Sequence, residues 1–497
     1  MSLKTVHPEY AMFLQMWIDM RVFHKGQRAV KERGTEYLPP TSGMVLDGMN
    51  AGDIGLSAYK AYKDRAIFPD YVREGVEALM GLIHQHDAKI ELPPRMEYLR
   101  TKATINGESL LMLLRKMNEE QLISGRLGLL VDLPADPDPA KPEPFVSMYS
   151  AESITNWDDG TSEIGENNLN MVVLDESCYV RDGFSWVWKE RYRVLKLNDD
   201  AENEFMDEYI QGLFIESDYD ETLMKAPMLR GQKMKTIPFI FVNSKDLISV
   251  PDYPPLIGLG ETCLTIYRGE ADYRQNLHMQ GQDTLAIVGG IRNPSALPGA
   301  DDAIRVGAGS RLDIELGGDA KFIGVSSMGL SEQRNAIEND RKRAEFKAGQ
   351  LIGNQSLKNE SGNAMIARLA AQTANLNQIA LSSGEGLQRA LRQIAIWIGE
   401  DPRNVKVLPN TEFTNAASNA QELVYLMTAR SMGAPLSMFS IHTSLKDKGY
   451  TTMEYAEESA LVKTEGSNAV PTATPALTAT DNKSSTDPKD PAQEKKP

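Results

Sequence analysis

The sequence predicts an α+β fold in which long amphipathic helices flank a β-rich middle. Three observations carry that expectation. Apolar residues recur at spacings of three and four through much of the first third and again from 255 to 398. Between about 145 and 244, β-branched and aromatic residues fall in short runs separated by turn signals. The chain has 497 residues, 41% hydrophobic and 25% charged, an ordinary globular composition with length for about three domains.

Taken in order, Met12, Met16 and Met20 are expected to form one stripe of a short amphipathic helix. Val72, Val76, Leu79 and Ile83 give a second helix one apolar face, and Pro93-Pro94 blocks its continuation. Leu110, Leu113, Leu114 and Met117 repeat the pattern in a helix expected to run to Gly125. Residues 127–133 then read as a buried strand stopped by Pro134, and 134–144 as a loop. In the β-rich region, strands are expected at 171–174, 184–188, 191–197 and 237–242, with a hairpin turn at Asp182-Gly183.

Pro254-Pro255 opens a new helix, since proline suits a first helical turn. Its apolar stripe is Leu256, Leu259, Cys263, Ile266 or Tyr267, Ala271 and Leu277, and Gly281 ends it. Residues 284–325 are glycine-rich and β-like, with apolar runs at 285–288, 304–306, 312–316 and 322–325. The helix expected at 331–347 is densely charged, and Glu338 stands four residues before Lys342, the favourable order for an ion pair. After the polar interruption at 353–362 comes the longest pattern in the chain. Ile366, Leu369, Thr373, Leu376, Ala380, Ser383, Leu387, Leu391, Ile394 and Ile398 would line a helix over 363–398, about 54 Å long at 1.5 Å per residue. Gly384 and Gly386 suggest a kink in it. A strand at 405–408 and helices near 418–432 and 453–462 follow. From 466 onward the chain is rich in Pro, Thr, Ala, Ser and Lys and has no aromatic residue, a composition expected to be disordered.

Composition excludes several functions. With 53 Lys and Arg against 69 Asp and Glu, the net charge of −16 argues against a broad basic DNA- or membrane-binding face. Two cysteines, Cys178 and Cys263, rule out a disulfide scaffold and a multi-cysteine zinc site, and suit a reducing compartment. The apolar run at 11–18 is short, broken by Gln15 and flanked by Glu9 and Asp19, so it does not read as a signal peptide or a membrane span. The chain reads as soluble and intracellular. It has no Gly-Lys-Ser or Gly-Lys-Thr phosphate loop and no G-x-S-x-G elbow, and Gly307 and Gly309 form a lone G-x-G. His84, His86 and Asp87 look superficially like metal ligands but read better as a helix end, so no cofactor or metal is expected.

The order of elements, helices, β-rich region, helix, small β module, charged helix, polar loop and long helix, resembles the portal proteins of tailed bacteriophages. The resemblance also rests on AYKDRA at 61–66, YVREGVEALMG at 71–81, SGRLGLLVD at 124–132, AESITNW at 151–157, IPFIFVN at 237–243, PPL at 254–256 and YRGEADYRQNLHM at 267–279. Each piece is a weak motif. Their order covers the chain from about 10 to 463, and none of them is catalytic.

The resemblance implies a non-enzymatic α+β subunit of a ring, typically of twelve copies, at one vertex of a virion capsid, assembled in the host cytoplasm. Double-stranded DNA would pass through the ring at packaging and ejection without being read in sequence. The terminase large subunit would dock first, then head-completion or adaptor and tail proteins, with major capsid and scaffolding proteins around the ring and no membrane. By position, 1–254 would be the N-terminal helical region and β-rich wing, 255–281 the first stem helix, 282–327 the clip and 328–352 the second stem helix. The tunnel loop would be 353–362, the long wing and crown helix 363–398, the C-terminal crown 399–465 and a free tail 466–497. The resemblance thereby points to Asn354, Gln355, Ser356, Lys358 and Asn359 as tunnel-loop residues facing DNA. Asp301, Asp302, Arg305, Arg311, Asp313 and Glu315 would form the docking face of the clip. Arg334, Glu338, Arg341, Lys342 and Glu345 would pair within or between subunits on the stem. The alternative within the same setting is another phage head or adaptor protein.

Overall fold

A computed structural model describes residues 2–134, 143–160, 169–198, 208–215, 219–229, 231–280, 284–288, 317, 319–323, 328–352, 362–411, 413, 426–447, 450–451 and 453–466. They form an α+β protein that divides into two compact units, residues 1–413 and 414–497.

The first unit begins with α1 (Pro8–Lys25). His7 caps it by accepting the Glu9 N–H on Nδ1, Pro8 occupies the first turn, and Gly26 ends it at a φ of 84°. Its buried face is Tyr10, Phe13, Trp17, Met20 and Phe23. The expected methionine stripe is therefore wrong in its first member, since Met12 is 71% exposed. Aromatic rings carry more apolar area than methionine and claim the inward side. Four short helices follow: α2 (Gln27–Glu32), α3 (Ser42–Leu46), α4 (Ile54–Arg65) and α5 (Tyr71–Ile83). The four apolar residues expected on one face of α5 are all buried. α6 (Leu110–Ser124) starts where Ser109 Oγ accepts the Met112 N–H and stops at Gly125 in the left-handed conformation, as its sequence pattern indicates.

The strands of this unit are β1 (Lys89–Glu91), β2 (Arg126–Asp132), β3 (Phe145–Ser150), β4 (Ile154–Asp158), β5 (Met171–Asp175), β6 (Cys178–Asp182), β7 (Ser185–Lys189), β8 (Tyr192–Asn198), β9 (Glu208–Phe214), β10 (Met228–Leu229), β11 (Gln232–Lys233), β12 (Phe239–Asn243), β13 (Thr284–Val288), β14 (Asp319–Ile323) and β15 (Lys406–Leu408). β2 is the centre of an antiparallel sheet of order β12-β2-β3 and is buried along its whole length. A second antiparallel sheet runs β4-β5-β8-β9, and β6 pairs with β7 across the expected turn at Asp182-Gly183. β1 pairs with β15, joining segments more than three hundred residues apart. β13 and β14 pair antiparallel in the small β module.

Three long helices complete the unit: α7 (Ile257–Gln280), α8 (Met328–Ile352) and α9 (Gly362–Ile398). The apolar interior forms two main clusters. In one, Leu127, Leu129 and Val131 of β2 meet Phe13 and Trp17 of α1, Leu113 and Met117 of α6, and Leu387, Leu391 and Ile394 of α9. In the other, Phe23, Val72, Val76 and Leu79 meet Leu259, Cys263 and Ile266 of α7, Ile337 and Ala344 of α8, and Leu376 and Ile379 of α9. α9 thus belongs to both clusters and ties them together.

The structure assigns Gly384 and Gly386 a role other than a kink, within a continuous helix. A Cβ at Gly384 would lie 2.8 Å from Pro409 Cδ, and one at Gly386 would lie 2.5 Å from Val242 Cγ2. These glycines let a strand and a proline press against the helix backbone. The serines beside them hydrogen-bond to neighbours on α6 and β12. Ser383 Oγ accepts a hydrogen bond from Asn118 Nδ2 at 2.8 Å, and Ser382 Oγ donates to the Asn243 carbonyl at 2.6 Å.

In the second unit the described residues form helices at 426–431, α10 (Met438–Asp447) and α11 (Tyr455–Gly466). α10 is absent from the sequence expectation. The expected tail beyond Gly466 lies outside the described residues, as do most of the 134–144 loop and the runs at 304–306 and 312–316.

Candidate functional site: the two-helix stalk

α7 and α8 form the most distinctive element of the molecule. They lie antiparallel, since their mutual contacts descend on one helix as they ascend on the other. Lys347 Nζ donates to the Gly258 carbonyl at 2.8 Å and to Thr262 Oγ1 at 3.0 Å. Arg341 reaches Glu270, and Asn276 Nδ2 donates to Gln333 Oε1 at 3.0 Å. The apolar stripe of α7 from Leu256 to Ala271 is buried, but Leu277 and Met279 are exposed. Residues 329–336 of α8 are exposed or half-exposed throughout. The lower half of the pair is therefore set in the core, and the upper half leaves it as a stalk. The β13–β14 pair sits in the segment that joins the two helices.

The root of the stalk is fixed by polar ties as well as by packing. Tyr62 Oη donates to Asp272 Oδ1 at 2.5 Å, and burial together with Asp272 pushes the phenol above its ordinary range. Arg268 Nε donates to the Tyr37 carbonyl at 2.8 Å, and Arg65 bonds Gln275. Cys263 is buried here, and desolvation pushes its thiol up to about 12, which keeps it an unreactive core group.

At the level where the stalk leaves the core, one carboxylate is buried between two arginines. Glu270 is 4% exposed. Its Oε2 accepts from Arg274 Nε at 2.7 Å and its Oε1 from Arg341 Nη2 at 2.6 Å. Burying a carboxylate is costly unless it is paired and hydrogen-bonded, and here both oxygens are satisfied. The triad fixes the axial register of α8 on α7.

The stem residues expected from sequence divide accordingly. Arg341 is committed within its own chain to Glu270. Glu338 lies 4.0 Å from Arg334, one turn back, rather than pairing forward with Lys342. Lys342 and Glu345 are exposed, with no ion pair among the described residues. The sequence reading missed Glu270 itself. The signal was present: Glu270 and Arg274 are four apart, and Glu270 adjoins Ala271 on the apolar stripe. The tunnel-loop residues Asn354, Gln355, Ser356, Lys358 and Asn359 lie outside the described residues. So do the clip residues Asp301, Asp302, Arg305, Arg311, Asp313 and Glu315.

Elsewhere, His84 closes α5 as its C-terminal cap. Among the described residues no group of three His, Cys, Asp or Glu side chains could hold a metal ion, and no helix is long and apolar enough to cross a membrane. A groove of about 610 Å³ is lined by His24, Arg73, His84, Arg115, Lys116 and Glu119. Desolvation lowers both imidazoles below their ordinary value, so they are neutral packing groups at neutral pH. What the stalk offers chemically is a charged two-helix projection with a small β module in its connecting segment.

Residues 255–398, from just before α7 to the end of α9, match a family model described as a domain of unknown function, DUF4055. No curated protein matches the chain. Among solved structures, the chain is similar to one in the virion of the native gene transfer agent particle, with 14% identity, a TM-score of 0.39, and 76% of this chain and 89% of that chain covered. A chain in the neck of the native gene transfer agent particle, computed with C12 symmetry, is similar at 13% identity and a TM-score of 0.38, with 76% and 89% covered. A chain in the neck of the empty particle, computed with C6 symmetry, is similar at 13% identity and a TM-score of 0.37, with 81% and 92% covered. No role is transferred from these similarities.

Proposed function

We propose that this protein is a portal-type subunit: a non-enzymatic structural protein that closes into a ring, conducts double-stranded DNA through the axis, and sits at one vertex of a phage-like capsid. The observation that carries the reading is the stalk. Two antiparallel helices leave the core, their connecting segment carries a pair of antiparallel strands, and they lead into a helix of 37 residues that joins both apolar clusters. That order is the one the sequence motifs anticipate, with α7 and α8 as stem, the β13–β14 module as part of the clip and α9 as the long wing and crown helix.

The electrostatics support the same role. Duplex DNA carries about one negative charge per 1.7 Å of axis, and a basic lining would hold it as a binder does. An acidic subunit, −16 overall, repels non-specific attachment and leaves contact to a few local cations. In this reading Lys358, with Asn354, Gln355, Ser356 and Asn359, touches phosphate without reading bases. The terminase large subunit, then head-completion or adaptor and tail proteins, dock on the clip, while capsid and scaffolding proteins surround the wing. The chain itself performs no catalysis.

Native mass spectrometry and electron-microscopy class averages of the purified protein test the reading. Closed rings with a central channel are expected, typically of twelve subunits. A monomer at every concentration and salt would overturn it.

A further inference from the structure

Beyond the stem, the second sheet throws out an unusual ribbon. β5 and β8 pair up to Asp175 and Tyr192, and the same two strands continue as β6 and β7 to a turn at Gly183. All but one residue of these two strands are exposed. One face of the ribbon carries the cross-strand pairs Tyr179–Trp188 and Arg181–Trp186. The Tyr179 and Trp188 rings meet edge to face at 4.9 Å. Phe184 at the tip is fully exposed, and Tyr179, Trp186 and Trp188 are each more than half exposed. Two of the five tryptophans of the chain thus stand in water on one two-stranded element. Such a ribbon is marginal alone. Its four rings present roughly 550 Å² of aromatic surface, at about 200 Å² per ring. A stable protein interface buries about 800 Å² per partner, with Trp, Tyr and Arg at its centre.

A second patch on the same chain matches it in chemistry. At the α3–α4 corner, Leu46 is 87% and Ile54 77% exposed, with Val45 exposed beside them. A Cβ at Gly55 would lie 2.0 Å from the Met44 carbonyl oxygen, so the start of α4 is pressed directly on α3. Asp47 is exposed at the same corner. The ribbon is aromatic with one arginine on its apolar face, and the corner is aliphatic with an acidic group. Both are uncovered in the single chain, so the ribbon is not seated on its own corner.

We propose that the β6–β7 ribbon of each copy docks its aromatic face on the α3–α4 corner of the next copy, with Arg181 against Asp47. The proposal rests on the ring reading and deepens it by naming a contact away from the stem. A projecting element received by a different patch is a head-to-tail interface, the kind that closes rings.

Three measurements test it, each against wild-type protein under conditions where it assembles. Trp186→Ser with Trp188→Ser should lower the ring-to-monomer ratio in native mass spectrometry at least tenfold while circular dichroism stays unchanged. Arg181→Asp should weaken assembly, and Arg181→Asp combined with Asp47→Arg should restore it, which decides the matter even where the tryptophan variant fails to fold. In a Cys178→Ser background, Phe184→Cys protein mixed with Leu46→Cys protein should form a disulfide-linked heterodimer on oxidation. Rings of unchanged population in the tryptophan variant, no charge-swap rescue and no Phe184–Leu46 cross-link would overturn the ribbon contact while leaving the ring reading intact. A wild-type protein that never assembles would overturn both.

Discussion

Sequence leaves open whether Arg341 pairs within or between subunits, and the structure ties it to Glu270 of its own chain, an assignment that experiment can test. Replacing Arg341 with alanine leaves Glu270 Oε1 without its 2.6 Å partner, while Arg274 still holds Oε2 at 2.7 Å. A hydrogen bond to a charged group contributes about 1.5 to 3 kcal/mol when its loss strands the buried partner. The Arg341 side chain is 42% exposed, so solvent screens its end of the bond. A cost of about 1.5 kcal/mol follows, confined to the α7–α8 contact. Hydrogen–deuterium exchange reads this locally: about 1.4 kcal/mol corresponds to tenfold, so amides over 333–345 should exchange about tenfold faster in Arg341→Ala. In a double-mutant cycle, Arg341→Ala should cost much less in a Glu270→Gln background, because the charge it serves is gone. An interaction between subunits would behave differently. Arg341→Ala would then reduce ring population without changing exchange in the dissociated subunit, and that result would refute the assignment of Arg341 to its own chain.

Gly386→Ala should destabilise the protein by about 1 to 2 kcal/mol, although alanine is favoured over glycine in a helix by about 1 kcal/mol. The added Cβ meets Val242 at 2.5 Å on a buried strand, and Val242→Ala should reverse the sign of the effect, as read by denaturant midpoints. His24 and His84 are half-buried, and desolvation depresses their pKa values below 6.5, so below that pH the unfolded chain binds protons that the folded chain refuses. Stability should therefore fall as pH drops from 6.5 toward the folded values, and His24→Gln with His84→Gln should flatten that limb of the melting profile; an unchanged slope counts against it. Lys358→Glu should leave ring assembly intact and reduce DNA content per capsid in a packaging assay, and normal filling would demote the loop to a connector.

Much of the secondary structure was legible in the sequence because it rests on local periodicity. α5, α6, α7, α8 and α9, the all-buried β2 and the β6–β7 hairpin each follow from spacing, caps or turn residues that act within a few positions. The order of these elements was legible for the same reason. What depends on contacts between distant residues was not. Nothing near Lys89 indicates that β1 will pair with β15 at Lys406–Leu408. Met12, Met16 and Met20 satisfy a helical stripe as well as Tyr10, Phe13 and Trp17 do, and only the surrounding clusters decide that Met20 is buried with the aromatic residues while Met12 is exposed. Gly384 and Gly386 read as flexibility until Pro409 and Val242 are seen against them. The stem charges show the division most plainly. Sequence spacing offered Glu338 a partner in Lys342 and could not know that Arg341 would be taken by Glu270, seventy-one residues earlier in the chain. Helix periodicity states which residues share a face, because it is set by the backbone of one segment. Which partner that face finds is set by the burial of every other segment around it, and that is decided only when the whole chain is packed.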